Sequence, residues 1–351
     1  MVDGEFYQYF SSSYERHQEH RVVSFIHTCI ERSRPAEMRL SWDWNMLVRY
    51  GCNKFGSPRR ALTSIETWVT DAITLNSSEA FKRCIDLTLT WEPDSKFLHT
   101  VIAGAIDEFP VLRKLAIRNR PSKSDALNNL LRRSRNTLEE FSIEDNMGWM
   151  PMEGDNESFP ALQRLSMHNT WARGPDTLLG LERFLFVKHL SLGSRPLAFS
   201  GNVWTYTFDS EGNILPNETV DPTKLVNPPG ESVKLPHLIS LHVRGEIPSS
   251  VLQVLSLPNL ADLYVEQDKK GMTSLLQMTS TRIPSQIKRL RVVASSEFAS
   301  GGWDSDLNSF LEQVGETLES IMIEKWMEER VMEKVPGNLT SGCKFQVLVA
   351  P

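Results

Sequence analysis

Phe109-Pro110-Val111-Leu112-Arg113-Lys114-Leu115-Ala116-Ile117 recurs, apolar position for apolar position, as Phe159-Pro160-Ala161-Leu162-Gln163-Arg164-Leu165-Ser166-Met167. Two more copies run from Leu235 to Val243 and from Leu257 to Val265, and Ile283-Pro284 to Val292 is a further one with an extra residue before its anchor leucine position. A second version drops the proline and leads in with Thr: Thr137-Leu138-Glu139-Glu140-Phe141-Ser142-Ile143 matches Thr317-Leu318-Glu319-Ser320-Ile321-Met322-Ile323. Weaker copies lie at Cys84-x-x-Leu87-x-Leu89 and Val187-x-x-Leu190-x-Leu192. The anchors fall at 84, 112, 138, 162, 187, 238, 260, 287 and 318, so the spacings are 28, 26, 24, 25, 51, 22, 27 and 31, with the 51 read as two units. A Leu-x-x-Leu-x-Leu pattern with a period of roughly 20–29 residues is the signature of a leucine-rich repeat.

The physics behind the pattern is simple. Alternation across Leu115-x-Ile117 sends both side chains to one face of a short strand, while the residues between them point the other way. A proline before the strand costs no ladder hydrogen bond, and one repeat alone is too small to bury its apolar edge, so neighbouring repeats must stack. Between strands the period lengthens towards 3.6, as in Leu307, Phe310, Leu311 and Val314, in Leu127, Leu130 and Leu131, and in Phe97 to Ile106. These segments read as return helices, with Asp304 or Ser305 and Ser122 or Ser124 as caps. The expected fold class is α/β: an irregular leucine-rich-repeat solenoid with parallel strands on the concave side and helices on the convex side.

Two regions interrupt the array. Residues 1–34 hold Val22, Val23, Phe25, Ile26, Cys29 and Ile30 before Pro35, which predicts an N-terminal helical cap on a solenoid spanning 35–351. Residues 196–234 hold Val203-Trp204-Thr205-Tyr206-Thr207-Phe208, a Ser210-Glu211-Gly212-Asn213 turn and then four prolines, which predicts an inserted hairpin and a proline-rich loop.

Composition narrows the function classes. Across 351 residues, 38 Lys and Arg stand against 44 Asp and Glu, and the net charge of −6 offers no footprint for a phosphate backbone, so nucleic acid is not an expected partner. No long apolar run predicts a membrane span. Cys29, Cys52, Cys84 and Cys343 show no zinc or disulfide spacing, and no secretory signal opens the chain, so an intracellular location, cytoplasmic or nuclear, is expected.

On the strand surface, positions +2, +4 and +6 from each anchor should point outward. They bring Lys114 and Arg118, Glu140 and Glu144, Arg164 and His168, His242 and Arg244, Asp262, Tyr264 and Glu266, then Arg289 and Arg291 onto successive strands. Mixed charge with histidine and tyrosine suits protein recognition, in which aromatic and Arg anchors are prominent. The same alternation also suits cross-strand ion pairs that merely keep a sheet hydrated. Trp204 and Tyr206, beside Phe208 in the insertion, form a further partner-binding candidate. The expected site residues are therefore Lys114, Arg118, Arg164, His168, His242, Arg244, Tyr264, Arg289, Arg291, Trp204 and Tyr206.

Catalytic signatures are missing. No P-loop, nucleophile elbow or His-Glu-x-x-His occurs, and Asp209 to Val220 imitates a calcium loop but has Ile214 where the turn needs Gly and Val220 where the cage needs Glu. His17 and His20 share one side of a possible helix without further ligands. No metal, no cofactor and no catalytic residue is expected; the alternative is an enzyme whose irregular site one sequence does not reveal.

The run Arg21-Val22-Val23 through Ser33-Arg34-Pro35-Ala36-Glu37-Met38-Arg39-Leu40-Ser41-Trp42, then Phe81 to Leu89, then the Phe-Pro-x-Leu units, resembles fungal F-box proteins with irregular leucine-rich repeats. The resemblance covers most of 21–325 and lies on the repeat side; no F-box itself is recognisable before it. It implies a target-binding, noncatalytic half of an F-box-type ubiquitin-ligase receptor, with a protein target on the concave face and the cullin-complex adaptor as a second partner. One departure is that Asn119 and Asn169 fall two residues after the last inward strand position rather than three, with Asp145 in the equivalent place, which predicts uneven curvature instead of a regular asparagine ladder.

Overall fold

The computed structural model describes residues 28, 32, 36–43, 81–90, 109–118, 125–144, 158–168, 180–193, 207–208, 214–215, 233–245, 255–267, 286–294, 303–325, 327–328 and 343–348. In chain order the elements are β1 (Met38–Asp43), β2 (Cys84–Thr90), β3 (Lys114–Arg118), α1 (Asp125–Ser134), β4 (Glu140–Glu144), β5 (Arg164–His168), a 3-10 turn (Gly180–Phe184) and β6 (His189–Gly193). They continue with β7 (Thr207–Phe208), β8 (Ile214–Leu215), β9 (Val233–Lys234), β10 (Ser240–Arg244), β11 (Leu255–Ser256), β12 (Asp262–Gln267), β13 (Arg289–Ala294), α2 (Trp303–Val314), β14 (Ser320–Glu324) and β15 (Lys344–Leu348).

Eleven strands form one sheet in the order β1-β2-β3-β4-β5-β6-β10-β12-β13-β14-β15, and each pairs with the next in parallel. The chain is a parallel-strand solenoid. Leu87, Leu115, Phe141, Leu165, Leu190, Leu241, Leu263, Leu290 and Ile321 form one continuous inward row, and the residues two further along, from Leu89 to Ile323, form a second. Every one of these side chains is buried. At about 1.5–3 kcal/mol for each fully buried aliphatic or aromatic side chain, this shared stack supplies what no single repeat holds alone.

The anchors form a third buried row: Cys84, Leu112, Leu138, Leu162, Val187, Leu238, Leu260, Ile287 and Leu318 are each at most 1% exposed. The proline version of the repeat is a β-turn into the strand. Leu112, Leu162, Leu238 and Leu260 each donate a backbone N–H to the carbonyl three residues earlier, at 3.2–3.5 Å. Pro110, Pro160, Pro236 and Pro258 occupy the second turn position, where a fixed φ is favoured. The Thr version is a helix ending instead. Thr137 Oγ1 donates to the carbonyls of Leu112 (2.8 Å) and Ser134 (3.2 Å), and Thr317 Oγ1 donates to those of Ile287 (2.9 Å) and Val314 (3.0 Å). One hydroxyl thus caps the helix just completed and ties it to the anchor of the preceding repeat.

A second backbone device recurs ahead of the strands. The carbonyls of Arg113, Glu139, Gln163, Lys188, Ile239, Ala261 and Lys288 each accept two consecutive N–H groups from the next repeat, at 2.7–3.1 Å. This doubled acceptance fixes the register without any side chain. Asn119, Asn169 and Asp145 lie outside the described residues.

Helices α1 and α2 supply Leu127, Leu130 and Leu131, and Leu307, Phe310, Leu311 and Val314, to the same core as the strands. Because α2 begins at Trp303, Asp304 and Ser305 sit in its first turn rather than at its cap. The segment from Phe97 to Ile106, Ser122 and Ser124 lie outside the described residues, as do residues 1–34 apart from helical Thr28 and Arg32.

The 51-residue interval needs a correction. It does not hold two units of the sheet: β6 pairs directly with β10, from His189 opposite Ser240 to Gly193 opposite Arg244. The interval is one turn of the solenoid with an insertion. Within it the expected hairpin is present as β7 and β8, antiparallel with Phe208 opposite Ile214, and β9 pairs in parallel with β11 at the far end. Two strands of the sheet, β1 and β15, lie beyond the repeats read from the sequence, because neither carries an anchored Leu-x-x-Leu-x-Leu.

Candidate functional site

Opposite the core, the sheet presents three straight rows of side chains, one from each outward strand position. The first runs Asp86, Lys114, Glu140, Arg164, His189, Ser240, Asp262, Arg289, Ser320, Lys344. The middle row runs Thr88, Ala116, Ser142, Ser166, Ser191, His242, Tyr264, Arg291, Met322, Gln346. The third runs Thr90, Arg118, Glu144, His168, Gly193, Arg244, Glu266, Val293. Neighbouring members of a row are about 4.8 Å apart, so long side chains on adjacent strands touch.

Charge alternates along the first row, and the opposite charges pair. Lys114 Nζ lies 2.8 Å from Glu140 Oε2, and Arg164 bonds the other oxygen of the same carboxylate. Partial burial pushes the Glu140 carboxyl up, but the hydrogen bonds and charges of Lys114 and Arg164 outweigh it and hold the group below the usual glutamate range. Arg289 grips Asp262 bidentately, Nε to Oδ1 at 2.5 Å and Nη2 to Oδ2 at 2.6 Å. In the third row Arg118 pairs with Glu144 at 3.4 Å and Arg244 with Glu266 at 3.3 Å. Five of the expected binding cations therefore hold a carboxylate of their own sheet.

The middle row changes character halfway. From Thr88 to Ser191 it is a floor of small side chains; from His242 onward it is bulky. The rings of His242 and Tyr264 stack at 4.1 Å between centroids and 13° between planes, and the Arg291 guanidinium lies over the Tyr264 ring, 4.5 Å from its centroid. Tyr264 is thus held between an imidazole and a cation, a contact worth about 0.5–1 kcal/mol at an exposed site.

Glu266 organises the neighbourhood. Its carboxylate accepts a hydrogen bond from Tyr264 Oη at 3.3 Å, pairs with Arg244, and lies 3.6 Å from His242 Nε2. That last separation is too long for a hydrogen bond, and Nε2 is buried without another described partner. Burial therefore dominates and holds His242 below the usual histidine range, against the pull of Glu266. His189 is lowered as well, by burial first and then by the Arg164 charge.

A third arrangement rests on a missing side chain. His168 bonds Ser166 Oγ through Nε2 at 2.7 Å, and its ring lies over Gly193, the neighbouring residue in the third row. A Cβ on Gly193 would fall onto His168 Nδ1 and come within 2.8 Å of Cε1.

Among the described residues, Ser191, His242 and Glu266 come nearest to a catalytic grouping. Ser191 Oγ is 3.4 Å from His242 Nδ1, and Glu266 is 3.6 Å from Nε2. Both separations exceed the 2.6–3.2 Å expected of a working relay. Among the described residues no group of three His, Cys, Asp or Glu is placed to hold a metal ion. Cys84 is buried, and burial pushes its thiol up to about 12, while Cys343 is half-buried and also raised by burial.

Lys114, Arg118, Arg164, His168, His242, Arg244, Tyr264, Arg289 and Arg291 thus share one face; Trp204 and Tyr206 lie outside the described residues. The stack, the multiple partners of Glu266 and the Gly193 notch were not legible at the level of single residues. Their only sequence signal is that His242 and Tyr264 hold the same offset in successive repeats. No protein-family model matches the chain, and no curated protein matches it. Among the described residues no helix is long and apolar enough to cross a membrane.

Proposed function

We propose that this chain is a noncatalytic protein-recognition module: a leucine-rich-repeat solenoid, with strands on its concave side and helices on its convex side, that holds a protein partner on the open face of the sheet. The observation that carries this reading is the face itself, with rows of charge on both sides of a middle row that contains the stacked His242, Tyr264 and Arg291. Rigid aromatic and Arg side chains in a polar surround are what binding hot spots are made of. An intracellular partner suits Cys84 and Cys343, which are free thiols among the described residues. The resemblance to F-box repeat proteins supports a narrower form, in which the chain is the target-binding half of a ubiquitin-ligase receptor.

The test is affinity purification of the tagged chain beside a variant carrying Arg164→Glu, Arg244→Glu and Arg289→Glu. A partner retained by the native chain and lost by the folded variant supports recognition through the face, and equal retention by both contradicts it. The cullin adaptor among the retained proteins supports the receptor form; its failure to co-elute with the purified chain counts against that form. A specific turnover in broad hydrolase and transferase screens, abolished by Ser191→Ala, would replace the noncatalytic reading.

A further inference from the structure

We infer that the Arg291 end of the open face docks an extended acidic segment of the partner protein, with one carboxylate of that segment seated on the Arg291 guanidinium. The inference rests on the reading of the open face as a recognition surface and assigns the chemistry of what it recognises.

Charge complementarity selects this end. Lys114, Arg118, Arg164, Arg244 and Arg289 are each matched by a carboxylate on an adjacent strand. A partner's acid that approached any of them would meet the repulsion of a carboxylate already in place. Arg291 is different: it is exposed, its guanidinium rests on Tyr264, and among the described residues no carboxylate pairs with it. Lys344, exposed at the outward end of β15 beside Ser320, likewise has no carboxylate partner among the described residues. On the outward positions of β13, β14 and β15, Arg289, Arg291 and Lys344 face a single carboxylate, Glu324, and Arg289 is already taken by Asp262. In a chain with a net charge of −6, this end of the face is a local excess of positive charge.

Stacking also prepares the cation for binding. A guanidinium held against a ring has fewer rotamers to lose when an acid arrives, so less of the interaction is spent on ordering the side chain. Half-buried Met322 and Val293 lie beside Arg291, on the next strand and two residues along its own, and provide apolar contact around the charge. Arg291 and Lys344 are two strands and two residues apart, which puts their Cα atoms about 12 Å from each other on a regular sheet. The Arg291 guanidinium leans onto Tyr264, on the side away from β15, so one phosphate would bridge it to Lys344 only by drawing it off the ring, whereas an extended chain rising about 3.3 Å per residue carries carboxylates three or four residues apart across the same span. Two separated carboxylates on a strand-like segment therefore fit better than one multiply charged group.

The experiment uses the full chain and an array of immobilised nine-residue peptides of randomised composition, with Glu, Gln or phosphoserine fixed at one or two positions. Peptides with Glu at two positions three or four residues apart should be selected over their Gln counterparts. For a selected peptide in solution, Arg291→Met should weaken binding about tenfold or more, Arg291→Lys by less, and Lys344→Met measurably; raised salt should weaken the native complex. Far-ultraviolet circular dichroism of these exposed-site variants establishes that they fold. Selection without acidic residues, no selection at all, preference for phosphoserine over Glu, or acidic binding indifferent to Arg291→Met would each overturn the inference. Peptide binding that survives Arg291→Met but is lost with Arg164→Glu overturns it while leaving recognition through the open face intact.

Discussion

Replacing Gly193 by alanine should destabilise the protein, and removing His168 should reverse the sign. In an unconstrained strand, Gly→Ala stabilises by about 0.4–1 kcal/mol, because the unfolded chain loses freedom. Here the added Cβ falls onto the His168 imidazole, with Cγ, the ring atom nearest the backbone, only 3.1 Å away, so rotating the ring tip does not relieve the clash. The ring must leave its place and give up the 2.7 Å contact with Ser166 Oγ. Overpacking of about 1–3 kcal/mol and a hydrogen bond worth about 1 kcal/mol then outweigh the entropic gain. Gly193→Ala should accordingly cost about 1–3 kcal/mol in the native background. In His168→Ala it should be neutral or stabilising by up to about 1 kcal/mol. Urea unfolding of the four proteins, followed by tryptophan fluorescence, gives the coupling directly, and it should reach about 2 kcal/mol. Additivity within about 0.5 kcal/mol would refute the placement of His168 over Gly193.

Four further outcomes are expected. Phe141→Ala, which empties a fully buried site in the first inward row, should destabilise by about 3–5 kcal/mol in the same urea assay. Thr137→Val, which removes the hydroxyl shared by the Leu112 and Ser134 carbonyls, should lower stability by about 1 kcal/mol, with a comparable loss for Thr317→Val. His189 and His242 are held below the ordinary histidine value of about 6.5, so between the two values the unfolded chain binds more protons than the folded one. Stability should therefore fall as pH drops below about 6.5, and a pH series of thermal melts should flatten when both are replaced by Gln. Glu140 is also held low, so its pairing contributes above the ordinary glutamate value of about 4.3 and is lost as pH falls through its folded value. Because Lys114 and Arg164 are largely exposed, Glu140→Gln at pH 7 should cost less than about 1 kcal/mol, and the difference should shrink in high salt.

The architecture was legible because the hydrophobic pattern speaks twice in each repeat. An anchor such as Leu112 sets where a strand begins, and alternation from Leu115 to Ile117 sets which face turns inward; the observed register follows both. The outward candidates followed from the same alternation. The cross-strand ion pairs were also foreseeable from the alternating charges of Lys114, Glu140 and Arg164. What the pattern misjudged was the long interval before Leu238. A period counts residues, whereas the sheet counts strands, and the inserted residues contribute none between β6 and β10. β1 and β15 were missed for the complementary reason: Leu40-x-Trp42 and Phe345-x-Val347 alternate correctly but have no anchor ahead of them. The finer parts of the face depend on rotamers. Whether Arg291 reaches for Glu324 or lies on Tyr264, and whether His168 finds room above Gly193, is decided between side chains of different repeats.

Photo-crosslinking in cells tests the recognition claim most directly. Benzoylphenylalanine would replace Ala116 or Ser142 in the middle row and, for comparison, the exposed helix residues Arg132 of α1 and Gln313 of α2. The account predicts a discrete adduct with one partner protein from both middle-row positions and none from the helix positions. Adducts confined to the helix positions would place the binding surface elsewhere and contradict it.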